Sequence, residues 1–208
     1  MHWIFLHGLG QTPASWEKVL DKMGTREESL CPDLAAMCQE ERTAYPDLYQ
    51  GLCRVCSQTE GPVNLCGLSL GGVLALHYAI DHPEKVNSLV LIATQYKMPR
   101  ALLMIQNLLF HFMPESMFQS SGFGKKAFIR LCSAMRDLDF TGSLEKVSCK
   151  ALVLCGGRDK ANRKAAEALA ELLKNGRLQI IENAGHEVNV DAPDALARAI
   201  SGFCSEAQ

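Results

Sequence analysis

Residues 63–80 read VNLCGLSLGGVLALHYAI, and this stretch decides the fold. Its first residues are typical of a short buried strand, and residues 70–81 predict a helix that ends before His82-Pro83. Between them, Gly67, Ser69 and Gly71 fit the pattern G-x-S-x-G. The turn leaves little room for flanking side chains, so glycine is needed there and the serine is lifted above the sheet. We therefore predict that Ser69 is a nucleophile.

Apolar runs alternate with segments of helical period on both sides of this stretch. We expect a single α/β domain in which helices cover both faces of a mostly parallel sheet of about six strands, giving three layers. The block 97–142, rich in Met and Phe, interrupts the alternation and is predicted to be a short helical cap. The predicted strands are 2–6, 29–31, 63–66, 88–93, 151–155 and 178–181, and the predicted helices are 14–23, 47–59, 70–81, 161–174 and 193–203.

A serine hydroxyl is a weak nucleophile that needs a base, and the base needs an acid to orient it. His186 follows the last predicted strand, where a loop can carry it over Ser69. Asp159 follows the strand ALVLC, and the chain order Ser, Asp, His is that of one known class of triad. We predict a Ser69–His186–Asp159 triad. The competing carboxylates are Asp33, Glu182, Glu187 and Asp191.

Acyl transfer also needs donors for the oxyanion of the tetrahedral intermediate. The backbone N–H of Leu70, at the start of the helix, is one candidate. The second is the N–H of Leu9, in the loop after the first strand. The glycines around these positions matter more than the leucine side chains. The supporting motif residues are His7, Gly8, Gly10, Gly67 and Gly71.

Four motifs in this order, HGLG (7–10), GLSLGG (67–72), GGRD (156–159) and NAGHEVN (183–189), resemble the α/β-hydrolase superfamily. The resemblance covers nearly the whole chain except 97–142. It implies hydrolysis through an acyl-enzyme, with neither cofactor nor metal. Relatives with an Asp nucleophile, such as haloalkane dehalogenases and epoxide hydrolases, are excluded by Ser69. The chain begins at what looks like the family's third strand, so we expect no opening hairpin, and the short cap predicts a shallow or partly open pocket.

The cap residues suggest an apolar pocket, although the same side chains could equally attach the cap to the core. The leading expectation is hydrolysis of a small or medium apolar ester. The alternatives on the same triad are a thioesterase, a lactonase, a cofactor-free haloperoxidase-like enzyme, a hydrolase of carbon–carbon bonds and a small lyase. The alternative in another class is a non-catalytic small-molecule receptor. The predicted pocket residues are Met98, Met104, Phe110, Met113 and Phe118.

Composition and charge indicate which classes of partner the chain is not expected to bind. The 21 Lys and Arg against 23 Asp and Glu give a net charge of −2 and no basic stretch of the kind that binds nucleic acid. No apolar run is long enough to cross a bilayer, and the N-terminus lacks the pattern of a signal peptide. The nine scattered cysteines are expected to be reduced thiols of a cytoplasmic protein. The sequence does not predict an oligomeric state.

Overall fold

The computed structural model describes residues 2–38, 44–118 and 123–205. In these ranges six strands form one sheet in the order β2-β1-β3-β4-β5-β6, and every neighbouring pair is parallel. The predicted α/β architecture with a mostly parallel sheet is confirmed. The strands are β1 (Trp3–Leu6), β2 (Ser29–Leu30), β3 (Val63–Leu68), β4 (Val86–Ile92), β5 (Lys150–Gly156) and β6 (Gly176–Ile181).

Helices cover both faces of the sheet because successive strand residues point to opposite sides. On β1, Ile4 belongs to the core beneath α2, α3 and α6, whereas Phe5 belongs to the core beneath α1 and α8. The apolar runs of β3, β4 and β5 divide in the same way, as expected for strands that are buried on both faces. The helices are α1 (Glu17–Met23), α2 (Tyr45–Ser57), α3 (Leu70–Asp81), α4 (Arg100–Phe112), α5 (Lys125–Met135), α6 (Lys160–Leu172), α7 (Val188–Asp191) and α8 (Pro193–Ser205).

The sharpest feature of the fold is the turn from β3 into α3. Ser69 has φ 52° and ψ −112°, a conformation that few residues other than glycine adopt. A Cβ on Gly67 would lie 2.3 Å from the carbonyl oxygen of Gly71, and one on Gly71 would lie 2.2 Å from that of Leu6. The first turn of α3 therefore packs backbone to backbone against β1 and β3, as the glycines of the motif predict.

The structure departs from the sequence-based boundaries at two places. The helix expected over 14–23 is a 3₁₀ turn, Pro13–Trp16, followed by α1, with Pro13 near its start. The short helix α7, just after His186, was not predicted, because four residues are too few to show a helical period. The other predicted strands and helices are found within a few residues of their expected ends.

Residues 97–142, here called the cap segment, connect β4 to β5 and include α4 and α5. The two ends of the segment are joined where Lys97 forms an isolated antiparallel bridge with Asp139. The backbone N–H of Met98 donates to Leu138 O at 3.0 Å. The segment thus leaves and re-enters the domain at one place, and its helices α4 and α5 pack against each other.

All nine cysteines carry free thiols. Cys53 and Cys56, the only pair with C-x-x-C spacing in the sequence, lie on α2 as expected.

We predict that Gly71→Ala lowers the free energy of unfolding by about 2 kcal/mol or more, because the new methyl group meets backbone atoms of β1 that cannot move aside. Gly202→Ala is the matched control. Gly202 lies within α8, its Cβ would have no neighbour within 4 Å, and alanine should raise stability by about 0.5–1 kcal/mol. Urea denaturation followed by circular dichroism measures both. Equal stabilities of the two variants would contradict the close packing at the turn.

Candidate active site

Ser69 lies at the carboxyl end of β3, on the wall of a cavity of about 300 Å³. His186, from the loop after β6, lines the same cavity, and so do Leu9 and Leu70. Three loops that follow different strands therefore meet at the edge of the sheet where ligands bind in open α/β folds.

The His186 Nδ1–H donates to Asp159 Oδ2 at 2.8 Å. Asp159 follows β5, and its side chain is only 5% exposed, whereas that of His186 is 44% exposed. The two loops are held side by side by the backbone, since the N–H of Arg158 donates to Ala184 O at 2.9 Å. With Nδ1 bound to the carboxylate, Nε2 is the ring nitrogen left to exchange a proton.

Two of the other carboxylates considered from the sequence, Asp191 and Asp33, have different partners. Asp191 Oδ2 accepts from the N–H of Gly185 at 2.6 Å and so shapes the His186 loop. Asp33 Oδ1 accepts from the N–H of Ala35 in a turn on the other side of β1. Among the described residues, Asp159 is the carboxylate that bonds to the His186 ring, and no such bond is found for Asp33, Glu182, Glu187 or Asp191.

A second layer of amides, missed by the sequence analysis, surrounds this carboxylate. Asn162 Nδ2 donates to both oxygens of Asp159, at 3.0 and 2.8 Å, and lies 3.2 Å from His186 Nδ1. Gln95 Nε2 in turn donates to Asn162 Oδ1 at 2.8 Å. Gln95 follows β4, so this strand end also contributes to the site. The one sequence feature that pointed to Gln95 was its position directly after a buried strand. The contact with the Asp159 loop is visible only in the structure.

The backbone N–H groups of Leu9 and Leu70 are the oxyanion donors predicted from the sequence, and the structure shows where these two residues lie. Leu70 begins α3, so its N–H has no carbonyl acceptor within the helix. Leu9 lies in the loop after β1. Among the described residues neither N–H has a hydrogen-bond acceptor, and both residues line the cavity beside Ser69. Gly10, next to Leu9, has φ +95°, in the left-handed region that favours glycine.

A buried amide pair fixes the position of this loop. Gln11 and Asn189 donate to each other's side-chain oxygens, both at 3.1 Å. The N–H of Gly8 donates to Gln11 Oε1 at 3.3 Å, and Asn189 lies three residues after His186. The pair thus connects the loop of Leu9 to the loop of the candidate base. The sequence did not single out Gln11, and it showed Asn189 only as the last residue of the NAGHEVN motif, because buried amides give no periodic signal.

His7 is fully buried beneath the same loop. Its Nδ1–H donates to Gly8 O at 2.9 Å, and its Nε2 accepts from the N–H of Leu34 at 3.1 Å. This pair of bonds requires the neutral ring, because a proton on Nε2 would face the donor of Leu34. Burial lowers the pKa of His7, although Asp33, 3.8 Å from Nε2, partly opposes the shift. His7 is therefore a structural support of the loop.

The predicted pocket residues separate into different places. Met98 lines the cavity, whereas Met104 is 58% exposed on the outside of α4. Phe110 and Phe118 contact Phe128 edge to face, and of these three rings only Phe128 lines the cavity. Met113 follows the end of α4 and does not line the cavity. The lining residues of the cap segment that were not predicted are Pro99, Leu103, Gln106, Phe128, Cys132 and Met135.

Comparison with known proteins gives a consistent picture. The profile of a family described as "Alpha/beta hydrolase family" matches residues 3–199. A pimeloyl-[acyl-carrier protein] methyl ester esterase of Nitrosomonas europaea is 30% identical over 44% of the chain and 36% of its own length. Human monoacylglycerol lipase ABHD6 is 21% identical over 96% of the chain and 74% of its own. The solved structure of MenH from S. aureus superposes with a TM-score of 0.84 at 19% identity, over 99% of the chain and 94% of MenH.

The chain spans 17% and 36% of the length of the first curated relatives that it matches. The similarity to solved structures concerns the fold.

Stability should fall in acid because of His7. The pKa of His7 is lower in the folded protein than its usual value of about 6.5. The neutral ring therefore makes its full contribution to the free energy of unfolding above about pH 6.5. This contribution is lost as the pH falls from there through the pKa of the folded state. In this window the free energy of unfolding should fall by up to about 1.4 kcal/mol per pH unit.

Urea denaturation between about pH 5 and pH 7 measures this. The His7→Gln variant should lose that part of the slope, whereas His111→Gln, at an exposed histidine of α4, should keep it. A slope that both variants share with the parent protein would contradict the assignment.

Proposed function

The chain belongs to the alpha/beta hydrolase family, and from this premise we propose that it is a serine hydrolase that cleaves a small or medium apolar ester through an acyl-enzyme. The observation that carries the proposal is the 2.8 Å bond between His186 Nδ1 and Asp159 Oδ2, at the cavity that Ser69 also lines. A base oriented by a carboxylate beside a serine is the arrangement that activates a hydroxyl group for attack.

In the first half of the reaction Ser69 Oγ attacks the ester carbonyl carbon while His186 Nε2 takes the hydroxyl proton. The carbonyl oxygen becomes an oxyanion that the N–H groups of Leu9 and Leu70 stabilise. When the tetrahedral intermediate collapses, the bond to the alcohol oxygen breaks and His186 returns the proton to the leaving alcohol. Ser69 is left acylated. Asp159 stays ionised and stabilises the imidazolium.

In the second half water replaces the alcohol. His186 takes a proton from the water as its oxygen attacks the acyl carbon, and the same two N–H groups receive the second oxyanion. The bond to Ser69 Oγ then breaks, the serine recovers its proton from His186, and the carboxylic acid leaves. Every proton passes through one ring nitrogen, so the orientation of His186 controls both halves.

The cavity favours an apolar group on one side of the scissile bond. Most of its wall consists of aliphatic, aromatic and sulphur-containing side chains, including Val73, Met98, Leu103 and Phe128. Burial raises the pKa of the Cys132 thiol in this wall to about 11, so Cys132 stays protonated and does not compete with Ser69 as a nucleophile. A volume of about 300 Å³ is at the lower end of small-molecule pockets, which supports a small or medium substrate.

Asn162 and Gln95 act in this proposal as positioning residues. Asn162 holds Asp159 through both carboxylate oxygens, and Gln95 fixes the orientation of the Asn162 amide. The carboxylate can then present Oδ2 to His186 without rotating. Charge-assisted bonds of this kind contribute about 1.5–3 kcal/mol each.

The nucleophile is tested with a fluorophosphonate probe and p-nitrophenyl esters of increasing acyl length. The parent protein should be labelled and should hydrolyse the esters, and Ser69→Ala should lose both activities while keeping its circular dichroism spectrum. Ser57→Ala, at an exposed serine of α2, is the control and should behave as the parent. An unlabelled parent protein, tested beside a serine hydrolase that is labelled, would overturn the proposal and would favour a non-catalytic receptor.

The positioning role is tested by Asn162→Ala. We expect kcat to fall by about tenfold to a hundredfold with a smaller change in KM, because the substitution disturbs the base more than the substrate contacts. Asp159→Asn should cost more, since it removes the charge itself. Asn175→Ala, at an exposed amide that donates to Ser148 O far from the cavity residues, is the matched control. An unchanged kcat in Asn162→Ala would contradict the role.

A further inference from the structure

The outer face of α4 is apolar and open to solvent. We define it by Met104, Ile105, Leu108, Leu109 and Phe112, which recur at the spacing of one helix face. Their exposed fractions are 58%, 58%, 60%, 58% and 81%. Single exposed apolar side chains are common on protein surfaces, but five on one stripe of a 13-residue helix form a continuous patch, which marks an interaction site.

The inner face of α4 is the more polar of the two, which reverses the usual arrangement. Gln106 lines the cavity, and Asn107 Nδ2 donates to Ser133 Oγ on α5 at 2.7 Å. Leu103 and Phe110 complete this face. Packing against the domain does not account for the outer stripe, so its apolar character calls for a partner outside the described chain.

The charge of the cap segment indicates what kind of partner. Residues 97–142 contain six Lys and Arg against three Asp and Glu, a net charge of +3 in a chain of net charge −2. Asp137 and Asp139 pair with cations at the base of the segment, Arg100 and Lys97 among them. At the opposite end, beside Phe112, Lys125 Nζ donates to the carbonyl oxygens of His111 and Met113. Lys126 is exposed next to it, and Glu115 is the acidic residue in this region.

We propose that the outer face of α4 docks on an anionic lipid surface. An apolar helix face with lysines near one end has the chemistry that binds at the boundary between acyl chains and anionic headgroups. The helix would lie along the surface: among the described residues, no helix is both long and apolar enough to cross a membrane.

A second copy of the chain is the other occupant to consider, and charge disfavours it. In a two-fold dimer the same patch faces itself, so two cap segments of net charge +3 would approach each other. An anionic surface instead gains from each cation, by about 1 kcal/mol per lysine close to the headgroups.

Docking would bring lipid close to the proposed catalytic site. The inner face of α4 forms part of the cavity wall, so the surface and the cavity would be separated by the diameter of one helix, about 10 Å. The docking proposal does not depend on the hydrolase proposal, because vesicle binding is measured without any reaction.

The test is co-sedimentation of the purified chain with vesicles of phosphatidylcholine alone and of phosphatidylcholine mixed with phosphatidylserine. We expect binding to the mixed vesicles that weakens as salt is added. Leu108→Gln/Phe112→Gln should lower the partition coefficient by about tenfold or more, since it removes two large apolar side chains from the face. Lys126→Glu should lower it by about fivefold or more on the mixed vesicles.

Matched controls lie on α6, outside the cap segment. Leu172→Gln, at a leucine that is 46% exposed, and Lys164→Glu should change binding by less than about twofold. Fluorophosphonate labelling of all four variants should equal that of the parent, which separates this proposal from the previous one. Lys126→Glu keeps the test valid if the double variant fails to fold.

Three results would overturn the proposal. The first is a chain that does not sediment with phosphatidylserine vesicles. The second is a dimer in analytical ultracentrifugation that Leu108→Gln/Phe112→Gln converts to a monomer, which would assign the face to a second copy. The third is an equal loss of binding in the cap variants and the α6 controls, which would show a surface contact without specificity.

Discussion

The arrangement of the whole site depends on one contact between backbones, the approach of the first turn of α3 to the carbonyl oxygen of Leu6 on β1. Only glycine fits at Gly71 and Gly67, because a methyl group would lie 2.2–2.3 Å from a carbonyl oxygen. The approach forces Ser69 into φ 52°, a strained conformation that costs of the order of 1–3 kcal/mol. The surrounding backbone holds it there, since the N–H of Ser69 donates to Ile92 O at 2.8 Å.

Because the turn fixes Ser69, the remaining groups only have to be positioned relative to one point. Buried or half-buried amides do this at two places. The Gln11–Asn189 pair joins the loop of Leu9 to the loop of His186, and Gln95 and Asn162 join the end of β4 to Asp159. An amide can donate and accept at once, so Gln11 and Asn189 bond to each other in both directions, and Asn162 accepts from Gln95 while it donates to Asp159. Rigid loops are what a preorganised site requires.

The backbone turn and the amide pairs differ in how well the sequence predicts them. The sheet and the triad candidates depend on local patterns, namely buried runs, glycine turns and residues directly after strands, and these patterns are visible along the chain. The amide pairs depend on contacts between residues that are far apart in the sequence. The separation is 67 positions for Gln95 and Asn162 and 178 positions for Gln11 and Asn189. No local pattern indicates such a contact. The four-residue helix α7 was missed for a related reason, since it is stabilised by its surroundings rather than by its own period.

The sequence of the cap segment does not determine where its side chains lie, because an apolar residue in a helix can face a core, a ligand or an external surface with the same sequence signal. Its apolar residues were expected to line a pocket or attach the cap to the domain. The structure adds a third environment, since Met104 lies on the exposed outer face while Leu103, one position earlier, lines the cavity. Because α4 lies between an interior cavity and an open surface, each of its two faces has side chains that reflect a different environment. Its inner face, which places both Leu103 and Gln106 in the cavity wall, suits a mostly apolar cavity that also holds polar reacting groups. Its apolar outer face is stable in water only at a cost that a lipid surface would remove.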